Sequence, residues 1–245
     1  MIKDIAKSIQ TYIKAIRLIA ELNLWKYFLI PIVIGLLLGM SFISTAISLS
    51  DDFGASISQY WPFDFGKGFV TGFSSWVAGF IIIILGIIIY KHVLMALSAP
   101  FMTPVSEKVE SHLTGKQIII DDSKSNFISQ LLRSIRLNVR NLIKELVITL
   151  PLMILSLIPG IGLIAVVLIF YFQAYYTGFG NMDFTLERHL NYNESKNFVK
   201  QNRGIAIGNG AVFTALLLIP FIGVMLTLPI ATVAATIDTV DRLEL

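Results

Sequence analysis

The sequence predicts an all-α integral membrane protein: two full transmembrane helices, two re-entrant (half-depth) helical hairpins, and amphipathic helices at the interface and in the cytoplasm. Three observations carry that prediction. Four long runs, 27–50, 68–90, 146–182 and 204–237, contain no charged residue. The motif LIPGIGLI at 157–164 returns 61 positions later as LIPFIGVM at 218–225, each time inside such a run. Lys and Arg are also distributed unevenly between the segments that flank the runs.

Composition agrees. Of 245 residues, 55% are hydrophobic and 14% charged, with a mean hydropathy of +0.75. A soluble domain is nearer about 25% charged, so this chain lacks the polar residues to cover a water-facing surface. An apolar run of about 18 residues or more marks a bilayer-embedded helix. The absence of cysteine excludes disulfides, thiolate metal sites and thiol nucleophiles. About 26 mixed-charge residues precede the first apolar run, too long a prelude for a cleavable signal peptide.

Residues 1–22 read as an amphipathic interfacial helix. Ile2, Ile5, Ile9, Tyr12, Ile13, Ile16 and Ile19 keep helical spacing on one face, and Lys3, Lys7, Gln10, Lys14, Arg17 and Glu21 track the other. An ordinary helix packed on a partner helix is the alternative. The first span, 27–50, is entered through Trp25, Lys26 and Tyr27, an aromatic and basic anchor. An external loop follows at 51–67, with Asp51, Asp52, Asp64 and Lys67 and with Tyr60, Trp61, Phe63 and Phe65 around Pro62. The second span, 69–90, ends at Lys91 and His92.

A polar, helical cytoplasmic section spans 91–145. Thr103 suits an N-cap, with Pro104 at the first helical position and Glu107 in the first turn; Gly115 closes that helix after Leu113 and Thr114. A second amphipathic helix starts near Asn126. Its apolar stripe is Phe127, Ile128, Leu131, Leu132, Ile135, Val139, Leu142 and Ile143, and Arg133, Arg136, Arg140 and Lys144 form a basic one that suits anionic lipid headgroups.

The hairpins follow from length. The segment 146–176 is 31 residues, about 46 Å as one helix, against a hydrocarbon core of about 30 Å. A break at Pro159 and Gly160 leaves two arms of roughly 20 Å, each too short to cross. Hairpin 1 thus covers 146–176, a cytoplasmic loop 177–204, and hairpin 2, turning between Pro220 and Gly223, covers 205–237. Proline removes an N–H and glycine reaches positive φ, so Pro159, Gly160 and Gly162 in one copy and Pro220 and Gly223 in the other suit a tight reversal. A single kinked, tilted helix is the alternative for each. In the hairpin arrangement 18 of the 19 Lys and Arg residues fall on the side of both termini, and only Lys67 opposite. The positive-inside rule makes that side the cytoplasm.

Signals for chemistry are sparse. His92, His112 and His189 lack the spacing of a shared metal site and read as interfacial or surface residues. Asp51-Asp52 and Asp121-Asp122 are adjacent pairs with diverging side chains. There is no phosphate-binding loop, nucleophile motif or nucleic-acid module, so neither an enzyme, a cofactor nor a nucleic-acid partner is expected. The anion-handling candidates are cations at the membrane boundary: Arg17, Lys26 with the backbone N–H groups of Asn23 and Leu24, and the Arg133 row.

Most of the chain resembles the CysZ-type sulfate permeases of the etoposide-induced-protein membrane superfamily. The resemblance rests on Leu29-Ile30-Pro31, on Ala99-Pro100-Phe101 followed by Glu110 and Leu113-Thr114-Gly115, on Ile158-Pro159-Gly160-Ile161-Gly162, on Asp183-Phe184, and on Ile219-Pro220. It implies two long transmembrane helices plus two partly penetrating hairpins, and passive uptake of sulfate for cysteine synthesis across the bacterial inner membrane, through a homo-oligomer. The family's sulfate motif, Gly-Ile/Leu-Arg-Arg, falls on Asn23-Leu24-Trp25-Lys26, where only Lys26 keeps the basic character. Trp supplies one neutral donor and cannot replace a guanidinium fork. A non-transporting protein of the same fold, one that binds anionic lipid or scaffolds partners, is the competing expectation.

Overall fold

The computed structural model describes the backbone of residues 1–59, 67–116, 127–158, 160–219 and 222–245. Every regular element among them is helical: α1 (Ile2–Glu21), a 3₁₀ turn (Leu24–Tyr27), α2 (Leu29–Gln59), α3 (Lys67–Thr114), α4 (Phe127–Leu155), α5 (Gly162–His189), α6 (Tyr192–Gln201), α7 (Arg203–Leu217) and α8 (Ile222–Leu243). Among the described residues, three segments are long and apolar enough to cross a membrane: Leu24–Thr45, Ile82–Thr114 and Gly162–His189. They overlap the first span read from sequence, only 82–90 of the second, and, because α5 runs on to His189, the second arm of hairpin 1.

Two boundaries differ from expectation. Helix α2 continues through 51–59, residues assigned from sequence to a loop. Two aspartates cost a helix only about 0.7 kcal/mol each, too little to end it without a proline. The aromatic cluster Tyr60, Trp61, Phe63 and Phe65 lies outside the described residues, as do Asp121 and Asp122. Helix α3 is a single 48-residue helix with Pro100 and Pro104 inside it, about 72 Å long and more than twice the hydrocarbon thickness. Thr103 therefore caps nothing. Its hydroxyl donates to Glu187 Oε1 at 2.5 Å, and packing of α3 against α2, α4, α5 and α8 holds the helix across both prolines. The other end is as expected: Gly115, at φ +66°, donates its N–H to the Ser111 carbonyl at 3.0 Å and stops the helix.

The two repeats fold alike. Ile158 N–H donates to Leu155 O and Gly162 N–H to Ile158 O; 61 positions on, Ile219 N–H donates to Leu216 O and Gly223 N–H to Ile219 O. Gly160 stands at φ +88°. A Cβ on Gly162 would lie 2.4 Å from Ser156 O, and one on Gly223 would lie 2.3 Å from Leu216 O, so both turns fold back onto the preceding helix as only glycine allows. Helices α4 and α5 pack on each other across the first turn, and α7 and α8 across the second. The prolines themselves, Pro159 and Pro220, lie outside the described residues.

Helices α5 and α7 approach most closely. A Cβ on Gly178 would sit 1.8 Å from Ala206 O, and one on Gly210 would sit 1.8 Å from Ala174 O. Each helix thus presents Ala-xxx-Gly to the other, the small-residue pattern that lets membrane helix backbones meet.

Beside an apolar core, the helical body buries many polar side chains and exposes many apolar ones. Helix α4 buries Ser134, Asn138, Asn141, Glu145 and Thr149 and exposes Ile128, Leu132, Ile135, Val139, Ile143, Val147, Leu150 and Ile154. Helix α5 exposes Leu163 (77%), Ile164, Val167 and Phe170 near its start and buries Thr177, Asn181, Asp183 and Thr185 beyond. Helix α1 divides its apolar stripe: Tyr12, Ala15, Leu18 and Ile19 bury against α7 and α8, while Ile2, Ile9, Ile13 and Ile16 face outward. It combines the two alternatives read from its sequence, a helix packed on partners and a helix with a free apolar edge.

Candidate functional site

The inward faces of these helices build a polar column. Along α3 the buried Lys91, His92, Ser98, Thr103, Ser106 and Glu110 cover 19 helical steps, about 28 Å. Three ion clusters lie along the column, each made by helices that meet only in the folded chain.

The first cluster joins α3, α4 and α5. Lys91 Nζ donates to Glu145 Oε1 at 2.7 Å and to the Gln173 carbonyl at 3.3 Å. His92 Nε2 lies 2.9 Å from Glu145 Oε2, and its Nδ1 lies 3.2 Å from Asn138 Oδ1. Lys91 and Glu145 are 0% exposed and His92 is 1% exposed. His92 is thus a core residue, contrary to the interfacial or surface position read from sequence. His112 and His189 are exposed as expected, and His189 also pairs with Glu110.

The second cluster centres on Glu110. Arg188 Nη2 and Nε both donate to Glu110 Oε2, at 2.5 and 3.0 Å, and His189 Nε2 pairs with Oε1 at 2.6 Å. Beside it, Ser106, Thr185 and Thr236 close a ring of hydroxyls at 2.8 to 3.1 Å, joining α3, α5 and α8.

In the third cluster Arg133 donates to both oxygens of Asp183, at 2.9 and 3.3 Å, and also to Leu190 O and Ser195 Oγ. The acid beside it holds the Arg133 pKa above its ordinary value against the effect of burial.

Among the described residues, buried polar atoms without partners include Ser98 Oγ, Asn141 Nδ2, Thr149 Oγ1, Asn181 Oδ1, Thr214 Oγ1 and Thr227 Oγ1. Unpaired groups of this kind are costly in an apolar interior and suit a column that admits water or a polar solute.

The structure disperses the basic row of α4. Arg133 turns inward to Asp183. Arg136 is exposed, with its guanidinium 4.7 Å from the Tyr192 ring; Arg140 is half-buried, donating to Asn141 Oδ1 at 2.8 Å; Lys144 is exposed. Lys26 and Arg17 are both exposed. Leu24 is fully buried, and Asn23, in the left-handed region at φ +48°, spends its N–H on the Ala20 carbonyl at 3.3 Å. That N–H is therefore not available to an ion. Two lysines converge instead: Lys26 Nζ lies 5.4 Å from the Tyr27 ring centroid and Lys108 Nζ, from α3, lies 5.1 Å from it.

The family described as Sulfate transporter CysZ/Etoposide-induced protein 2.4 matches residues 11–227. The chain belongs to that family. Among curated members of the CysZ group, the Sulfate transporter CysZ of Pseudomonas aeruginosa (strain PAO1) is 29% identical over 161 residues, 64% of this chain and 65% of the relative. The Vibrio parahaemolyticus protein of that name is 31% identical over 142 residues, 57% of each chain. The chain thus spans just under two thirds of the length of the curated relatives it matches. Against the family background, Glu110 and Asp183, quoted from the sequence only as marks of resemblance, prove to anchor two of the three ion clusters.

Sequence reading missed Lys91, His92, Glu145 and Lys108. A signal for Glu145 was present: Ser134, Asn138, Asn141, Glu145 and Thr149 repeat at steps of four, three, four and four, a second polar face on a helix judged by its basic residues. Lys91 and His92 end one uncharged run and Glu145 precedes another, yet nothing in a single sequence pairs residues 54 positions apart.

Proposed function

We propose that this protein is a membrane permease or channel for a small inorganic oxyanion, sulfate first, in the bacterial cytoplasmic (inner) membrane, supplying sulfate assimilation and cysteine synthesis. One observation carries the reading: an apolar-faced helical body that buries, beside its apolar core, cations paired with carboxylates together with many hydroxyls and amides. A dry, lipid-binding scaffold has no need of such an interior. The curated relatives are named sulfate transporters, and sulfate offers the acceptor oxygens that buried Lys, Arg, Ser and Thr donors match. At the mouth, Lys26 and Lys108 flank Tyr27, so a second cation from α3 stands in where the family motif loses an Arg to Trp25.

The membrane arrangement follows from exposure. In α5 the outward apolar residues are confined to 163–170, beyond which the helix enters the polar body. Helix α7 has 15 residues, about 22 Å, short of a full crossing. These features support the reading of both turns as re-entrant tips of half depth, with both termini in the cytoplasm. The exposed Leu132, Ile135 and Val139 on the polar-section half of α4 call for cover by a second copy, which supports a homo-oligomer.

Radiolabelled sulfate uptake into proteoliposomes tests the reading. The wild type accumulates sulfate, and Lys26→Ala reduces the rate. Uptake no greater than in empty vesicles, with retained anionic lipid lost on joint replacement of Arg133, Arg136 and Arg140, favours the lipid-binding alternative instead.

A further inference from the structure

The Lys91 cluster has two basic side chains for one carboxylate. Asn138 Nδ2 donates to the Ser134 carbonyl at 3.0 Å, so Oδ1 is the atom that faces His92 Nδ1, and Nδ1 must carry a hydrogen. On the far side of the ring, Nε2 and Glu145 Oε2 lie 2.9 Å apart. Two lone pairs would repel at that distance, so one proton sits between them, on the imidazole or on the carboxyl. Either way His92 and Glu145 together are neutral. Lys91, which donates to Glu145 and Gln173, is left as a surplus basic group with no carboxylate of its own and no solvent exposure.

The surroundings add to that surplus. Arg140 donates to Asn141 Oδ1, and no ion pair among the described residues joins Arg140 to an acid. The other end of the same amide, Asn141 Nδ2, is buried and without a partner, one helical turn from Glu145 on the same face of α4. Buried charge without compensation is costly, and so is a buried donor without an acceptor. One small anion would satisfy both. The position is also telling: Lys91 and His92 end one uncharged run and Glu145 precedes another, so the cluster lies at the threshold between the polar column and the apolar segments.

We propose that the α3–α4–α5 junction is an internal oxyanion site. Lys91, Arg140 and Asn141 supply its donors, and His92 holds Glu145 in place beside them. Glu145 is a tethered carboxylate that holds the cations in register while the site is empty and competes with the incoming ion when it fills. The choice of sulfate as the ion rests on the permease reading above; the excess of basic groups and the orphan Asn141 donor do not. Full burial of Lys91 and Glu145 favours a free ion over a lipid headgroup carrying the same chemistry.

Melting of the purified protein tests the site, with sulfate replacing chloride at constant ionic strength and phosphatidylglycerol in a separate arm. Glu145→Gln should melt lower than wild type in chloride and recover in sulfate, with half-recovery at a sulfate concentration at least about tenfold below that giving the wild-type response. The double variant Lys91→Met with Glu145→Gln should lose that recovery. A sulfate response in Glu145→Gln no larger than in the double variant overturns the proposal, and so does rescue by phosphatidylglycerol alone. If Glu145→Gln does not fold, Asn141→Asp decides: a carboxylate on the orphan donor should raise the melting temperature in chloride and abolish the sulfate response, and an unchanged response overturns the site. Sulfate flux by the wild type is read separately. Flux without these melting responses removes the site and leaves the permease; melting responses without flux do the reverse.

Discussion

Replacing Gly210 with alanine should pry α5 and α7 apart. The added methyl would lie 1.8 Å from Ala174 O, 2.7 Å from Ala174 C and 2.7 Å from Gly178 N. All three are backbone atoms, so no rotamer change relieves the clash. Restoring an ordinary contact of about 3.4 Å requires the helices to separate by roughly 1.5 Å, and overpacking of a tight core typically costs about 1–3 kcal/mol. The same shift stretches the Asn181 Nδ2 to Asn209 Oδ1 bond, now 2.8 Å, beyond bonding range. Both side chains are fully buried, which adds about 1–2 kcal/mol. The expected loss is about 2–5 kcal/mol, or a fall in melting temperature of roughly 5–15 °C for a chain of this size. Thermal melting in detergent, followed by tryptophan fluorescence and by size-exclusion chromatography, measures it. Gly39 is the control, because a Cβ there meets nothing within 4 Å; Gly39→Ala should be neutral or gain up to about 1 kcal/mol from helix propensity. A Gly210→Ala protein that melts within a degree of wild type refutes the close-contact argument.

Glu110→Gln removes the carboxylate that Arg188 and His189 share, and a buried pair broken on one side costs about 3–5 kcal/mol. The lower end is expected in melting curves, because Arg188 keeps Ser106 Oγ and Phe184 O as acceptors. Lys108→Ala should raise the sulfate concentration for half-maximal uptake about threefold to fivefold; an unchanged value would remove Lys108 from the mouth. Asp238 follows the 204–237 uncharged run and accepts from Thr11 Oγ1 at 2.8 Å, with Lys7 and Asp241 nearby. Burial raises its pKa in the folded state above the unfolded value near 4. Its protonated form is thus favoured by folding, and that stability is fully present below about pH 4 and lost as pH rises through the raised folded value. The melting temperature of Asp238→Asn should therefore exceed that of wild type by a margin that grows from acid to neutral pH; a margin independent of pH contradicts the assignment.

Local chemistry was legible wherever the cause lay within a few residues. Gly115 ends α3 because a left-handed residue is needed just past the last turn, and the sequence shows that glycine. The repeated Pro-Gly motif marks both reversals because Gly160, Gly162 and Gly223 act on backbone atoms within seven positions of themselves. Thr103-Pro104 misled for the opposite reason. It has the local pattern of a helix start, but packing of α3 on four other helices outweighs the carbonyl partners that Pro100 and Pro104 remove. The basic row of α4 misled similarly, because one turn of helix separates Arg133, which finds Asp183, from Arg136, which faces outward.

The sequence by itself determined that this is a helical membrane protein and where its chain reverses. Bilayer thickness and the cost of unpaired backbone act on runs of consecutive residues, and such runs can be read directly. Only the tertiary structure decided what the charges near the apolar runs are for. Lys91 and His92 meet Glu145, Glu110 meets Arg188 and His189, and Arg133 meets Asp183, across separations of 50 to 79 positions. Which helices become neighbours is settled by close packing such as that of Gly178 and Gly210, and a charge acquires its meaning only from the partner which that packing brings to it.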